Sequence, residues 1–146
     1  MAAPTAWEVH DLVKEKLAKK LLDFVNDSFV IRLYTSGSDI NTPADNDASA
    51  TTSEVSNANG YSTGGTATTG SVSESAGTTT VDFTDASWNA NTSGITARYA
   101  AIIDTTLTPD EIIAHCVLDG TPADVTAVSG KQFIVQFHSN GAFELV

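Results

Sequence analysis

Only a few residues of this 146-residue chain have side chains suited to chemistry, and they are scattered. Histidine occurs at His10, His115 and His138, in three separate stretches, with no HExxH spacing. The single cysteine, Cys116, excludes an internal disulfide or a CxxC pair. Cys116 stands next to His115 in the run IIAHCVL, but neighbours on a strand point to opposite faces. That placement denies Cys116 the adjacent base a nucleophilic thiol needs, so a small buried hydrophobe is expected there. Asp39, Asp45 and Asp47 lie in SDINTPADND and supply oxygen ligands of the kind Ca²⁺ takes. They lack the ordered spacing and distal glutamate of an EF-hand loop, and a solvated acidic loop is the expectation. Asp82, Asp85 and Asp104 have the chemistry of hydrolytic acids, but nothing in the sequence sets their geometry. GYSTGG at Gly60–Gly65 has no following GK[ST], so its glycines are expected to permit turns rather than cradle phosphate. Asn91-Thr92-Ser93 fits a glycosylation pattern, which carries little weight without a secretion signal. The expectation is therefore a protein with no catalytic residues, no cofactor and no metal.

The elements that would position these residues follow from periodicity. Residues 5–25, TAWEVHDLVKEKLAKKLLDFV, place Trp7, Val13, Leu17, Leu21 and Phe24 on one broad arc of a helical wheel, with Leu22 and Val25 at its edge and His10 inside it. Thr5 and Glu8 have the spacing of a capping box. The spacing thus predicts an N-terminal amphipathic helix over residues 1–27. A terminal helix can leave its own domain without breaking a sheet, so Trp7, Leu17, Leu21 and Phe24 are the candidate intersubunit contact.

Residues 28–146 are expected to form one β domain. SFVIRLYTS, TTTVDF, GITARYAAIID, residues 112–118 and KQFIVQFHSNGAFELV show strand patterns. In the segment 94–104, Ile95, Ala97, Tyr99, Ala101 and Ile103 are expected on one face. Asn140-Gly141 predicts a terminal hairpin. Between the first two strands, about residues 37–77, runs a tract rich in Ser, Thr, Gly and Asn. Few apolar side chains fall in it, and it is expected to be mobile in the free protein and to order on a partner.

The net charge is −11, and it is uneven. The first 25 residues balance four lysines against four acids, whereas residues 26–146 set Arg32, Arg98 and Lys131 against fourteen acids. An acidic body repels phosphate backbones, so no nucleic-acid partner is expected. The apolar runs are too short or too interrupted to span a bilayer, and no signal peptide is visible, so a soluble, cytoplasmically made protein is expected.

In order along the chain, GYSTGG, the DASW segment Asp85–Trp88, ITARYA at Ile95–Ala100 and the strand–NG–strand ending Phe133–Val146 resemble a group of small tailed-bacteriophage virion proteins. Phe29, Ile31 and Leu33 stand where that group has an F-x-I-x-L strand. The resemblance spans nearly the whole chain, although residues 37–56 match only in composition. It implies a capsid decoration, or cement, protein: a jelly-roll-like antiparallel β-sandwich that binds the capsid exterior and stabilises contacts between major capsid subunits, as a dimer or trimer. A receptor- or carbohydrate-binding fibre or tail domain is the alternative it leaves open. No catalytic residues come with the resemblance.

Overall fold

The computed structural model describes residues 2–146. The chain is mainly β, with several separate antiparallel sheets. The strands are β1 (Glu8–Val9), β2 (Phe29–Tyr34), β3 (Thr66–Thr68), β4 (Gly70–Ser75), β5 (Thr78–Phe83), β6 (Ala86–Asn89), β7 (Ile95–Ala97), β8 (Tyr99–Asp104), β9 (Glu111–Val117), β10 (Val125–Ala127), β11 (Gln132–Val135) and β12 (Phe143–Leu145). Among the described residues there is one short helix, α1, at Val13–Ala18. The largest sheet has the order β1-β9-β8-β2-β3, and a three-stranded sheet has the order β12-β5-β4. The pairs β11-β6 and β10-β7 complete the body. The jelly-roll topology expected from the resemblance is not confirmed by this arrangement.

One face of the five-stranded sheet presents Phe29, Ile31, Leu33, Ala100, Ile102, Ala114 and Cys116. They pack with Val81, Phe83, Trp88, Phe133, Val135 and Phe143 from the smaller sheets to form the main core. Rings of Phe24, Phe29, Phe83 and Phe143 meet edge to face or stacked within it. The opposite face carries a second apolar cluster of Tyr34, Tyr99, Ala101, Ile103 and Ile112.

The helix expected over residues 5–25 is reduced to six residues. Upstream, the chain lies instead along the outer edge of β9. Glu8 and Val9 pair with His115 and Ala114. The Thr5 and His10 amides donate to the carbonyls of Val117 and Ile113, each at 2.9 Å. The Gly120 amide donates to the Ala3 carbonyl at 2.9 Å. A buried strand edge has backbone groups that must find partners, and this demand outweighs a modest helical preference. Only VKEKLA, made largely of straight-chain residues, keeps the helix. It stops at Lys20, which is left-handed with φ 58°. The Lys20 and Leu21 amides then close back on the Leu17 and Lys16 carbonyls at 3.1 and 2.9 Å, the double bond of a Schellman ending without its usual glycine.

The polar tract is also different from expectation. Ile40, Ala48, Val55 and Tyr61 are buried, and Ile40 and Ala48 complete the second cluster. The segment ends in β3 and β4, so the tract is packed against the β domain along much of its length.

The strand expected over residues 94–104 is broken at Arg98. β7 pairs with β10, whereas β8 lies between β2 and β9. Ile95 and Ala97 consequently join Ala100 and Ile102 in the main core, while Tyr99, Ala101 and Ile103 face the second cluster. The predicted face thus changes sides at one residue. The strand expected at residues 112–118 is present as β9, with a bulge opposite Ile102 and Ile103. The terminal hairpin is not formed. β11 pairs with β6 and β12 with β5, so the His138–Gly141 turn carries the chain between sheets.

Candidate functional site

The four residues expected on one helical arc are separated by the strand that replaces it. Trp7 precedes β1 and stacks on Phe137, half-buried. Leu17 lies in α1 and is partly buried against the main core. Phe24 is buried in that core, 4% exposed. Leu21 alone is turned to solvent, at 52% exposure. No shared face of the four exists for a neighbour to cover.

The acidic residues serve as hydrogen-bond acceptors within the fold. The Asp39 carboxylate accepts from the Thr52 amide and hydroxyl at 2.9 and 3.2 Å. Asp47 accepts from the Ser49 amide and hydroxyl at 2.8 and 2.5 Å. The Asp47 bonds close a loop turn, the Asp39 bonds tie two stretches of the polar tract together, and both sets lower the carboxyl pKa. Asp85 accepts from the Phe137 amide at 2.9 Å, and Asp82 from the Phe83 amide at 2.8 Å. Among the described residues, no group of three or more His, Cys, Asp or Glu side chains is placed to hold a metal ion. Cys116 is buried, and burial pushes its thiol up to about 12, far from a reactive thiolate.

Two histidines that stand 105 positions apart do meet. His10, immediately after β1, and His115, in β9, are 1% and 3% exposed. His10 Nε2 lies 3.0 Å from His115 Nδ1, with the rings nearly perpendicular. His10 Nδ1 contacts the Asp45 carbonyl, and Glu8 Oε2 lies 3.6 Å from His115 Nε2. A carbonyl only accepts, so His10 carries its proton on Nδ1. His10 Nε2 is then the acceptor, and His115 Nδ1–H is the donor. Burial lowers the pKa of both rings, that of His115 to about 4, which keeps the pair neutral at pH 7. Sequence reading placed His10 on a helix and His115 on a strand, so no spacing signal could have joined them.

Other buried or half-buried polar groups lie around the large sheet. Arg32 Nη2 donates to Asp110 at 2.6 Å, and Lys16 pairs with the buried Glu111 at 3.1 Å. The Tyr61 hydroxyl donates to Glu54 at 2.7 Å and accepts from the Leu33 amide at 3.1 Å. A third feature is an open groove of about 720 Å³ beside Trp7, into which Gln136, His138, Asn140 and Glu144 also face. No helix among the described residues is long and apolar enough to cross a membrane.

The chain matches no protein-family model, and searches of curated proteins and of solved structures find no match.

Proposed function

We propose that this protein is a non-enzymatic virion structural protein that binds the outside of a phage capsid and stabilises contacts between its major capsid subunits. The observation that carries the reading is where the resembling motifs fall in the fold. Gly60 abuts the backbone of Asn89 so closely that an added Cβ would lie 1.9 Å from its carbonyl oxygen. Tyr61 next to it packs on Trp88 of the DASW segment, with ring centroids 5.5 Å apart. Arg98 of ITARYA is the joint between two sheets, held to Asp124 at 2.8 Å. The motifs are therefore joints of one β body, and none of them assembles reactive side chains. That suits a family whose shared property is a shape presented to neighbours. In this reading the protein acts at the capsid exterior as a homo-oligomer, with the major capsid protein as partner and no nucleic acid or membrane involved. Its net charge of −11 also favours solubility at high local concentration. Many moderate contacts, repeated by capsid symmetry, supply avidity without any single strong site.

A receptor- or carbohydrate-binding fibre domain is the second reading. The groove beside Trp7 favours it, because an indole face flanked by amide and carboxylate groups suits a sugar. Copy number in purified particles separates the two: hundreds for a cement protein, tens or fewer for a fibre. Addition of the purified protein to undecorated shells, followed by sedimentation and a thermal-release assay, tests the first directly. Failure to bind the shells, or binding with no gain in shell stability, overturns it.

A further inference from the structure

We propose that the His10–His115 pair is an acid-opened latch: with both rings neutral it holds the N-terminal strand and the segment 43–48 on the outer edge of β9, and acid releases them. Three pieces of chain meet at this pair. The N-terminal segment supplies His10 and lies on β9 from Ala3 to His10. The segment 43–48 supplies the Asp45 carbonyl and continues the same edge, with Ile112 donating to the Asn46 carbonyl at 2.8 Å and Ala48 to the Asp110 carbonyl at 2.9 Å. β9 supplies His115. The two outer pieces also hold each other, through Asp11 on the Pro43 carbonyl and Leu12 on the Asn46 side chain.

The tautomers decide how many protons the closed pair accepts. Both nitrogens of His10 are committed, one as donor to Asp45 and one as acceptor from His115. The open position is His115 Nε2, facing Glu8. A second proton would have to sit on His10 Nε2, opposite the Nδ1–H of His115, with two donors and two like charges 3.0 Å apart. Once the edge is released, both rings return to water and to an ordinary value of about 6.5. The released form therefore binds more protons than the closed one, and its population rises as pH falls below that value. The other charges around the pair are Glu8 and Asp11 on the N-terminal segment, Asp45 on the loop, and Glu111 on β9, which is paired with Lys16 of α1. The nearby carboxylates Glu8, Asp11 and Asp45 favour protonated His10, yet burial outweighs them and holds His10 below its ordinary value.

Cys116 reports on release. It is 4% exposed and lines a cavity of about 380 Å³ that Pro4, Thr5 and Trp7 of the N-terminal segment also line. As the lone thiol it reads this one place. The experiment follows reaction of the intact protein with 4,4′-dithiodipyridine, which titrates thiols in acid, from pH 7 to pH 4.5. Rates are normalised to the denatured chain at each pH, with far-ultraviolet circular dichroism recorded alongside. Labelling should accelerate at least tenfold at pH 4.5 with the β spectrum retained, and below about pH 6.5 log rate against pH should have a slope steeper than −1, up to −2. His10→Gln and His115→Gln each leave one titrating ring, so their slopes should be no steeper than −1, at whatever absolute rate. A wild-type rate independent of pH, loss of the β spectrum along with labelling, or variants with the wild-type slope would each overturn the latch. If neither variant folds, ring-nitrogen NMR of the wild type decides. Both rings should be neutral and Nδ1-protonated at pH 7, and loss of that signature at a pH different from the labelling transition overturns the proposal.

Discussion

The indole of Trp7 stacks on the ring of Phe137, with centroids 5.1 Å apart and planes 22° from parallel, and so ties the N-terminal segment to the stretch that follows β11. The pair fastens the middle of the segment that the histidines hold at its end. Trp7→Ala removes a half-buried aromatic contact worth about 0.5–1.5 kcal/mol beyond its area. The expected result is faster labelling of Cys116 at pH 7, by several-fold, with the β spectrum unchanged. Labelling at the wild-type rate would show that the stack contributes nothing to holding the segment.

Tyr61→Phe should lower stability by about 1–3 kcal/mol, because the buried Leu33 amide loses its acceptor and Glu54 a donor. Chemical denaturation measures this as a shift in midpoint at constant slope. An unchanged midpoint would mean that water replaces the hydroxyl at no cost.

The β4–β5 hairpin turns through Ala76 and Gly77, with φ of 52° and 88°. Asparagine tolerates the left-handed position far better than alanine, and Asn-Gly is the preferred pair for this turn. Ala76→Asn is therefore expected to stabilise the protein by about 0.5–1 kcal/mol. The melting temperature should rise, and a fall would contradict the turn geometry.

Phe24 and Leu21 offer opposite responses. Phe24→Ala empties a site among Phe29, Phe83 and Phe143 and should cost about 3–5 kcal/mol. Leu21→Asp places charge on an exposed position and should leave the melting transition within about 0.5 kcal/mol of wild type. Loss of self-association or of shell binding in Leu21→Asp would mark that residue as an intersubunit contact.

Two buried groups give stability opposite dependences on pH. His115 is lowered to about 4, so the unfolded chain takes up its proton first, and this contribution is lost as pH falls from about 6.5 towards 4. Asp104 is fully buried with one carboxylate oxygen unpartnered. Burial, with Asp27 close by, raises it to about 6. Its proton therefore adds stability as pH falls from about 6 towards 4. Asp104→Asn should raise the melting temperature at pH 7 and have a smaller effect at pH 4.5. Equal effects at both values would show that charge is not the cause.

Local pattern alone determined much about this chain. The predominance of strand, the position of β9, the burial of Cys116 and the aromatic composition of the core were legible, because alternation and turn residues depend on neighbours a few positions away. The N-terminal segment was not, because its helical arc and its role as an edge strand are both compatible with the same residues. The open edge of β9, about 105 positions further on, decides between them through backbone hydrogen bonds that no side-chain pattern records. The same limit applies at Asn140-Gly141, where the turn was visible but the partners of β11 and β12 were not. At Arg98 a change of sheet moved the remaining residues of the predicted face, Tyr99, Ala101 and Ile103, to the other side, which periodicity extrapolated across the joint cannot foresee. The His10–His115 pair belongs wholly to tertiary structure. Each ring is unremarkable in its own segment, and the low proton affinity of the pair arises only when sheet pairing buries one against the other.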